Sequence, residues 1–348
     1  MLRHGRATRA GAALVVRGLC VVYIVAKIDF RETAHVLADA TLWIAGLALA
    51  ILALALVPLS WRWQRLLAAR EIHERLAWLL RAYFVSYTAS QVLPTSLGGD
   101  AMRIVETSRR HPGDGGDVAG SVLLERLLGG VATLALGVVS FVLAIGRIDV
   151  GPYVWVEVAI ALGTVALAFL LFSRRARRHL RRLQVPLERL RVAGKARKLY
   201  LGLHSYREHP RLVLEMLGLT VVVQAFRVLT IWLCGIAVGI HLSPLPYFVM
   251  GPRFFLVMLA PFTLNGFALR EAFFVSFLGQ VGVGADQAFS CGFLYFLLAL
   301  ALSVPGALIW AGEGAGALRQ AWTSSRVAAS GSITETGRYD DEARSNAA

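Results

Sequence analysis

The sequence is short of charge: only 17% of its 348 residues are Asp, Glu, Lys or Arg, against about 25% in a typical soluble domain. Cysteine is scarce too. Cys20, Cys234 and Cys291 lie inside apolar runs with no CxxC or Cys/His spacing, so they read as small packing residues and not as a disulfide framework or metal site. Lysine is confined to Lys27, Lys195 and Lys198, which leaves arginine to carry the formal net charge of +14. No Gly-rich loop leads into Lys-Ser/Thr, and neither HExxH nor GxSxG occurs. These absences set aside the common phosphate-loop, zinc-protease and serine-hydrolase chemistries. The positive charge comes without an aromatic–basic motif, so nucleic acid is not an expected partner. No metal, no cofactor and no enzymatic activity are expected.

What the chain has in excess is hydrophobic residues, at 57%, in runs such as Thr41–Leu59, which contains no charge. At about 1.5 Å per residue, such a run crosses a hydrocarbon core of about 30 Å. The predicted fold class is therefore all-α, a polytopic membrane protein with about six full spans. Topology follows from arginine, which favours the cytoplasmic side. Arg3, Arg6 and Arg9 place the N-terminus inside, ahead of an uncleaved first helix at about 11–28. A second span at about 40–60 returns to Arg62, Arg65 and Arg70. Further spans are expected at about 119–146, 152–173, 212–240 and 286–312. Segment 174–211 holds 13 Lys/Arg against Glu188 and Glu208, a cytoplasmic linker suited to anionic lipid headgroups. Leu180, Leu183, Leu187 and Leu190 give it an amphipathic surface helix. From 314 to 348 the chain is polar and aperiodic and reads as a disordered cytoplasmic tail. The membrane domain is thus 1–313, in a plasma (inner) membrane with both termini cytoplasmic.

Two apolar segments are broken. The first, at about 76–93, runs into LPTSLGGD (Leu93–Asp100) and then Arg103, Arg109 and Arg110. A full crossing would put that basic cluster outside, so a re-entrant hairpin is predicted, with its irregular backbone satisfied by protein or water. The second, 244–283, contains Pro244, Pro246, Pro252 and Pro261 and the turn Thr263-Leu264-Asn265-Gly266. PTSLGGDAMR (94–103) and PFTLNGFALR (261–270) match at five of ten positions, with proline and arginine at the same spacing. The charge pattern makes the first hairpin enter from the cytoplasm and the second from outside. This defines an inverted-topology repeat, unit one at about 40–146 and unit two at about 212–312. Such repeats set substrate sites at broken helices near the midplane. The structural breaks are Pro94, Gly98, Gly99, Pro261 and Gly266.

A charged side chain at the centre of a membrane helix costs about 2.5–3.5 kcal/mol on insertion scales, so each one needs a partner or a task. Arg103 and Arg270 follow their prolines onto the second hairpin limb, where a helix N-terminal half and a guanidinium both favour an anion. Asp100 and Glu271 beside them are either counter-ions or acceptors for a cationic headgroup. Glu125 and Arg126 point about 100° apart and need not pair with one another; Arg126 either snorkels or faces a cavity. Gln224 and Arg227 share a helix face. With Asn265 in the second break, these residues form the candidate substrate-binding set. Arg253 is a weaker candidate, and Arg17 is explained by snorkelling.

At these residues the sequence resembles the flippase-like transmembrane domain of lysylphosphatidylglycerol synthases, whose stand-alone members are lysylphosphatidylglycerol synthase transmembrane-region proteins. Leu93-Pro94, Gly98-Gly99-Asp100, Arg103 and Glu125-Arg126 look like the family's first pattern, and Ala260 to Glu271 like its second. Ala260 and Ala268 depart from the usual Leu and Gly. The resemblance covers about 10–315 and implies movement of phospholipids, or of polyprenyl- or hopanoid-type lipids, between leaflets. The family's bifunctional members carry a soluble aminoacyltransferase domain; the tail here is too short for one, so lipid aminoacylation is not expected. Arg103, Arg227 and Arg270 would hold a lipid phosphate. The expected partners are a membrane lipid substrate and either a second copy or a lipid-modifying enzyme. The alternative reading is a non-translocating subunit that presents lipid to a partner such as a glycosyltransferase. An intramembrane lipid-modifying enzyme is a third, which the lack of a nucleophile or metal set disfavours.

Overall fold

A computed structural model of the chain describes residues 30–92, 98–144, 162, 206, 209–258 and 269–312. Among the described residues the regular structure is helical, with no strand. A short helix, α1 (Phe30–Ala38), stands where no element was expected. The apolar run then forms a 27-residue span, Leu42–Ala68, divided at Ala55 into α2 (Leu42–Leu54) and α3 (Leu56–Ala68). Pro58 accounts for the interruption, because it offers no N–H to the Leu54 carbonyl and its ring crowds that oxygen. The helix continues past the expected boundary near 60 and carries Arg62 and Arg65 with it.

The remaining helices are α4 (Leu76–Val92), α5 (Gly98–Arg110), α6 (Gly115–Ala144), α7 (Pro210–Ala237), α8 (Pro244–Met258), α9 (Leu269–Gln280) and α10 (Ala285–Gly312). Leu42–Ala68, α6, α7 and α10 are long and apolar enough to cross a membrane. They coincide with four of the expected spans. The spans at about 11–28 and 152–173 (Leu162 apart), most of the linker 174–211, and the tail lie outside the described residues. So do Pro94, Pro261, Asn265 and Gly266. Both units nonetheless show the same order of elements: a long helix, two short helices around a break, and a long helix.

α4 and α5 form an antiparallel helical hairpin. Arg81 early in α4 pairs with Glu106 late in α5 at 3.3 Å, while Gly99 at the start of α5 lies on Ser86 and Ser90 late in α4. A Cβ at Gly99 would collide with the Ser86 carbonyl, so only glycine permits this approach. α7 packs against both α2 and α6, and α8 packs against α6, so the two units interlock. The Thr41 N–H donates to the Ala237 carbonyl at 2.9 Å, and the Thr88 hydroxyl donates to the Ser303 carbonyl at 2.6 Å. In the second unit Phe254 meets Phe274 and Tyr295 edge-on, with ring centroids 5.2 and 6.0 Å apart. The buried apolar side chains gather into a large cluster that spans both units and a smaller one around Leu66, Leu124, Leu128 and Met216. Val138, Val139 and Val142 on α6 and Leu308 on α10 are exposed, as an apolar surface in contact with lipid tails would be.

Candidate functional site

The site is built from polar stripes on helices that are otherwise apolar. On α6, Ser121, Glu125, Thr133 and Ser140 recur at spacings of four, eight and seven; on α7, Thr220, Gln224 and Arg227 recur at four and three. Such spacings keep side chains on one helix face. The stripes meet. The Gln224 amide donates to Thr133 at 2.5 Å and accepts from Arg227 at 3.0 Å. Thr220 accepts from Arg62 at 2.7 Å.

Glu125 is the hub of the first cluster and is 3% exposed. Its Oε1 accepts from Arg62 Nε and Nη2, both at 3.1 Å, and from the Tyr83 hydroxyl at 2.8 Å. Its Oε2 accepts from Arg103 at 2.9 Å. Arg103 also donates to Asp100 at 2.8 Å, and the other Asp100 oxygen accepts from Arg126. The Arg103 guanidinium lies against both Trp63 and Tyr83, 4.7 and 4.2 Å from the ring centres, which themselves meet edge-on at 5.9 Å. Trp63 is fixed in turn by donating to Ser121 at 3.0 Å. Among the described residues three guanidinium groups face two carboxylates here; Arg126 is partly exposed, while the burial of Arg62 and Arg103 magnifies their pull on an anion.

The second cluster lies toward the other unit. Arg270 donates through Nε and Nη2 to Glu271 Oε1 and stacks on Phe296 at 4.5 Å. Arg227 stacks on Phe255 at 4.4 Å. Tyr87 lies within electrostatic reach of Tyr295, Arg227 and Arg270. Tyr83 and Tyr87 are one turn apart on α4, so the two clusters are neighbours along that helix, separated by about 6 Å of rise. Arg253 is buried at 3% exposure and donates to the Val249 carbonyl at 3.3 Å.

The structure thus joins Asp100, Arg103, Glu125 and Arg126 in one network, and Gln224 and Arg227 in a second stripe beside the Arg270–Glu271 pair. Glu125 and Arg126 serve different partners, and Arg126 reaches Asp100 inside the protein. Gly98 and Gly99 are buried in the first turn of α5. Arg62 requires a correction. The sequence reading placed it with Arg65 and Arg70 as a cytoplasmic charge, but it is 6% exposed and binds Glu125 and Thr220. Because α3 continues through it, Arg62 turns inward while Arg65, three residues on, is exposed. Tyr83, Trp63 and Thr220 were also missed. The i, i+4, i+7 pattern with Gln224 and Arg227 is the signal by which Thr220 was open to detection. Among the described residues no group of three or more His, Cys, Asp or Glu side chains is placed to hold a metal.

An all-helical membrane bundle with a buried arginine–carboxylate network defines the class of protein. The description of the lysylphosphatidylglycerol synthase TM region matches residues 10–306, and the chain belongs to that family. This membership associates the membrane domain with lipid. A search of curated proteins gave no match.

Proposed function

We propose that this protein is a lipid flippase or lipid-binding transporter that moves an anionic or zwitterionic phospholipid, or a polyprenyl- or hopanoid-type lipid, between leaflets. One observation carries the reading: among the described residues the buried Arg62, Arg103 and Arg270 outnumber the buried carboxylates Glu125 and Glu271 among apolar helices. Charges so placed are expensive in a membrane and mark substrate pathways. A lipid phosphate brings the missing negative charge, and planar guanidinium groups recognise it through paired hydrogen bonds. Arg103, Arg227 and Arg270 are its proposed ligands. The two hairpins are read as re-entrant and the units as an inverted repeat, so that the same polar interior is reached alternately from either side. In this reading the protein sits in the inner membrane with both termini in the cytoplasm. It moves lipid without modifying it, and its basic linker rests on anionic headgroups.

The test is leaflet exchange of a labelled phospholipid in proteoliposomes containing wild type, Arg103→Ala or Arg270→Ala. Wild type should accelerate exchange, and each variant should lose at least about tenfold, the factor that 1.4 kcal/mol represents. Equal rates for wild type and variants, or no acceleration by wild type, would overturn the transport reading. No acceleration together with stoichiometric co-purification of an enzyme would favour a lipid-presenting subunit. A new lipid product from purified protein would overturn the non-enzymatic reading.

A further inference from the structure

The two buried acid hubs differ in what they leave unbonded. An ionised carboxylate has about four acceptor positions. Glu125 uses both oxygens, taking hydrogen bonds from Arg62, Arg103 and Tyr83. Asp100 also uses both, one for Arg103 and one for Arg126. Neither acid has an oxygen without a donor. Glu271 is different. It is 1% exposed, Arg270 approaches only its Oε1, and its buried Oε2 has no hydrogen-bond partner. A charged acceptor left dry and unbonded is costly, and such atoms in a native protein call for an explanation.

We infer that Glu271 Oε2 is the acceptor for a hydrogen-bond donor on the lipid headgroup, an N–H or O–H carried beside the phosphate. The inference rests on the proposed lipid-binding function and names the substrate class within it. The phosphate is attracted by the buried arginines, among them Arg270, which holds the other oxygen of the same carboxylate. The donor group then binds the one carboxylate oxygen among these three acids that has no hydrogen-bond partner. Glu125 and Asp100 have no such oxygen; the unpartnered group of the first cluster is a donor, Arg103 Nε, which suits phosphate, so selection for a headgroup donor falls to Glu271. A quaternary ammonium has no donor to offer and leaves Oε2 unsatisfied in a water-excluded site. Specificity of this kind, in which a buried polar atom goes unpaired with the wrong ligand, is steeper than selection by apolar fit.

The test uses matched phospholipid pairs of one acyl composition and equal charge, bound to the purified full chain and quantified by native mass spectrometry. Phosphatidylethanolamine is set against phosphatidylcholine, and phosphatidylglycerol against phosphatidylmethanol; within each pair only the first carries a headgroup donor. Wild type should prefer the donor member of one or both pairs by at least about tenfold, since a single charge-assisted hydrogen bond exceeds the 1.4 kcal/mol that a factor of ten represents. In Glu271→Gln and Glu271→Ala the ratio should collapse toward one. The glutamine variant keeps the shape should the alanine variant fail to fold, and the wild-type comparison needs no variant. Lipid binding by wild type without preference in either pair would overturn the inference and leave the transport reading standing, as would a preference that persists without the Glu271 carboxylate. No binding of any of the four lipids would overturn the inference and remove the phospholipid form of the transport reading as well.

Discussion

In the first unit one carboxylate, Glu125, receives Arg62, Arg103 and Tyr83, and every oxygen of the network is occupied. In the second unit Glu271 receives only Arg270 and keeps one oxygen without a partner. The units share their order of elements and the proline-to-arginine spacing of their breaks, but their last helices differ. α6 carries Glu125 and Arg126 within its span, whereas α10 has a single charged residue, Asp286, in its first turn. A repeated motif therefore does not imply a repeated role. Both units set arginines against aromatic faces; in the first the carboxylate oxygens are all engaged, although Arg103 Nε is not, and in the second the acid is only partly used. In the proposed function the first half offers Arg103 to the phosphate from a network whose acids are fully engaged, and the second offers Arg270 together with an acid that has an oxygen to spare.

The sharpest way to break this contrast is to remove each acid and compare stability. Glu125→Ala removes two buried ion pairs and the Tyr83 acceptor at once, leaving Arg62 only Thr220 and Arg103 only Asp100 as hydrogen-bond partners, and breaking a buried ion pair costs about 3–5 kcal/mol. Glu271→Ala removes one pair, and the Arg270 face still rests on Phe296. Thermal unfolding in detergent should therefore show a larger loss for Glu125→Ala than for Glu271→Ala. Equal losses would mean that the first cluster holds the fold no more firmly than the second.

Glycine contacts test the same difference at the hairpins. A Cβ at Gly99 meets the Ser86 backbone carbonyl, whereas one at Gly251, where α8 crosses α7, meets only the Val228 side chain. Overpacking costs about 1–3 kcal/mol, and backbone yields less readily than a side chain. Gly99→Ala should fall toward the upper end of that range and Gly251→Ala toward the lower, in the same unfolding assay.

The legibility of this molecule in its sequence followed the same division. Long apolar runs located four helices to within several residues, because hydropathy over a membrane's thickness is a strong signal. Residues 98–103 and 269–271 also stood out, since charge beside a helix break in an apolar segment has few innocuous explanations. Arg62 did not, because an arginine that closes an apolar run has the same sequence signature whether it faces headgroups or the interior. Its direction depends on how far α3 continues beyond Pro58 and on which face meets α6 and α7, and both are tertiary facts. Tyr83 was hidden for a related reason, as an aromatic in a mostly apolar helix is ordinary packing until a carboxylate is found at its hydroxyl.

The link between units can be weakened without touching a charge. Thr220→Val removes the acceptor for Arg62 Nη1, its contact across to α7. Interhelical hydrogen bonds in membrane proteins average about 0.6 kcal/mol, so a small destabilisation is expected, well below that of Glu125→Ala. A loss as large as the Glu125 variant's would show that the first network depends on α7 rather than on its own acid.

An effect of similar size concerns how the hairpins end. In the first unit Arg110 and His111, after the hairpin's second limb, meet Glu74 in the loop before its first: Arg110 Nε donates at 2.6 Å, and His111 Nε2 lies 3.0 Å from the same oxygen. Arg110 also stacks on Trp78 at 4.7 Å, and the Glu74 carbonyl accepts from Gln64 at 2.8 Å. The second unit closes α9 with backbone alone, the Val281 and Val283 N–H groups donating to the Leu278 carbonyl at 3.1 Å around Gly282 at φ +84°. Partial burial pushes the Glu74 carboxyl up, but the hydrogen bonds and charges of Arg110 and His111 outweigh it and hold the group below the usual glutamate range. A carboxyl with a depressed folded-state pKa contributes stability at neutral pH that is lost as the pH falls through about 4 and below. Because Arg110 is half exposed, the contribution is at most about 1 kcal/mol. Hydrogen exchange, corrected for its intrinsic pH dependence, should show α5 loosening more than α9 on acidification. Glu74→Gln should bring the first hairpin to the loosened level already at neutral pH and remove the acid response. An equal response in both hairpins would place the titrating group in a region common to the two units.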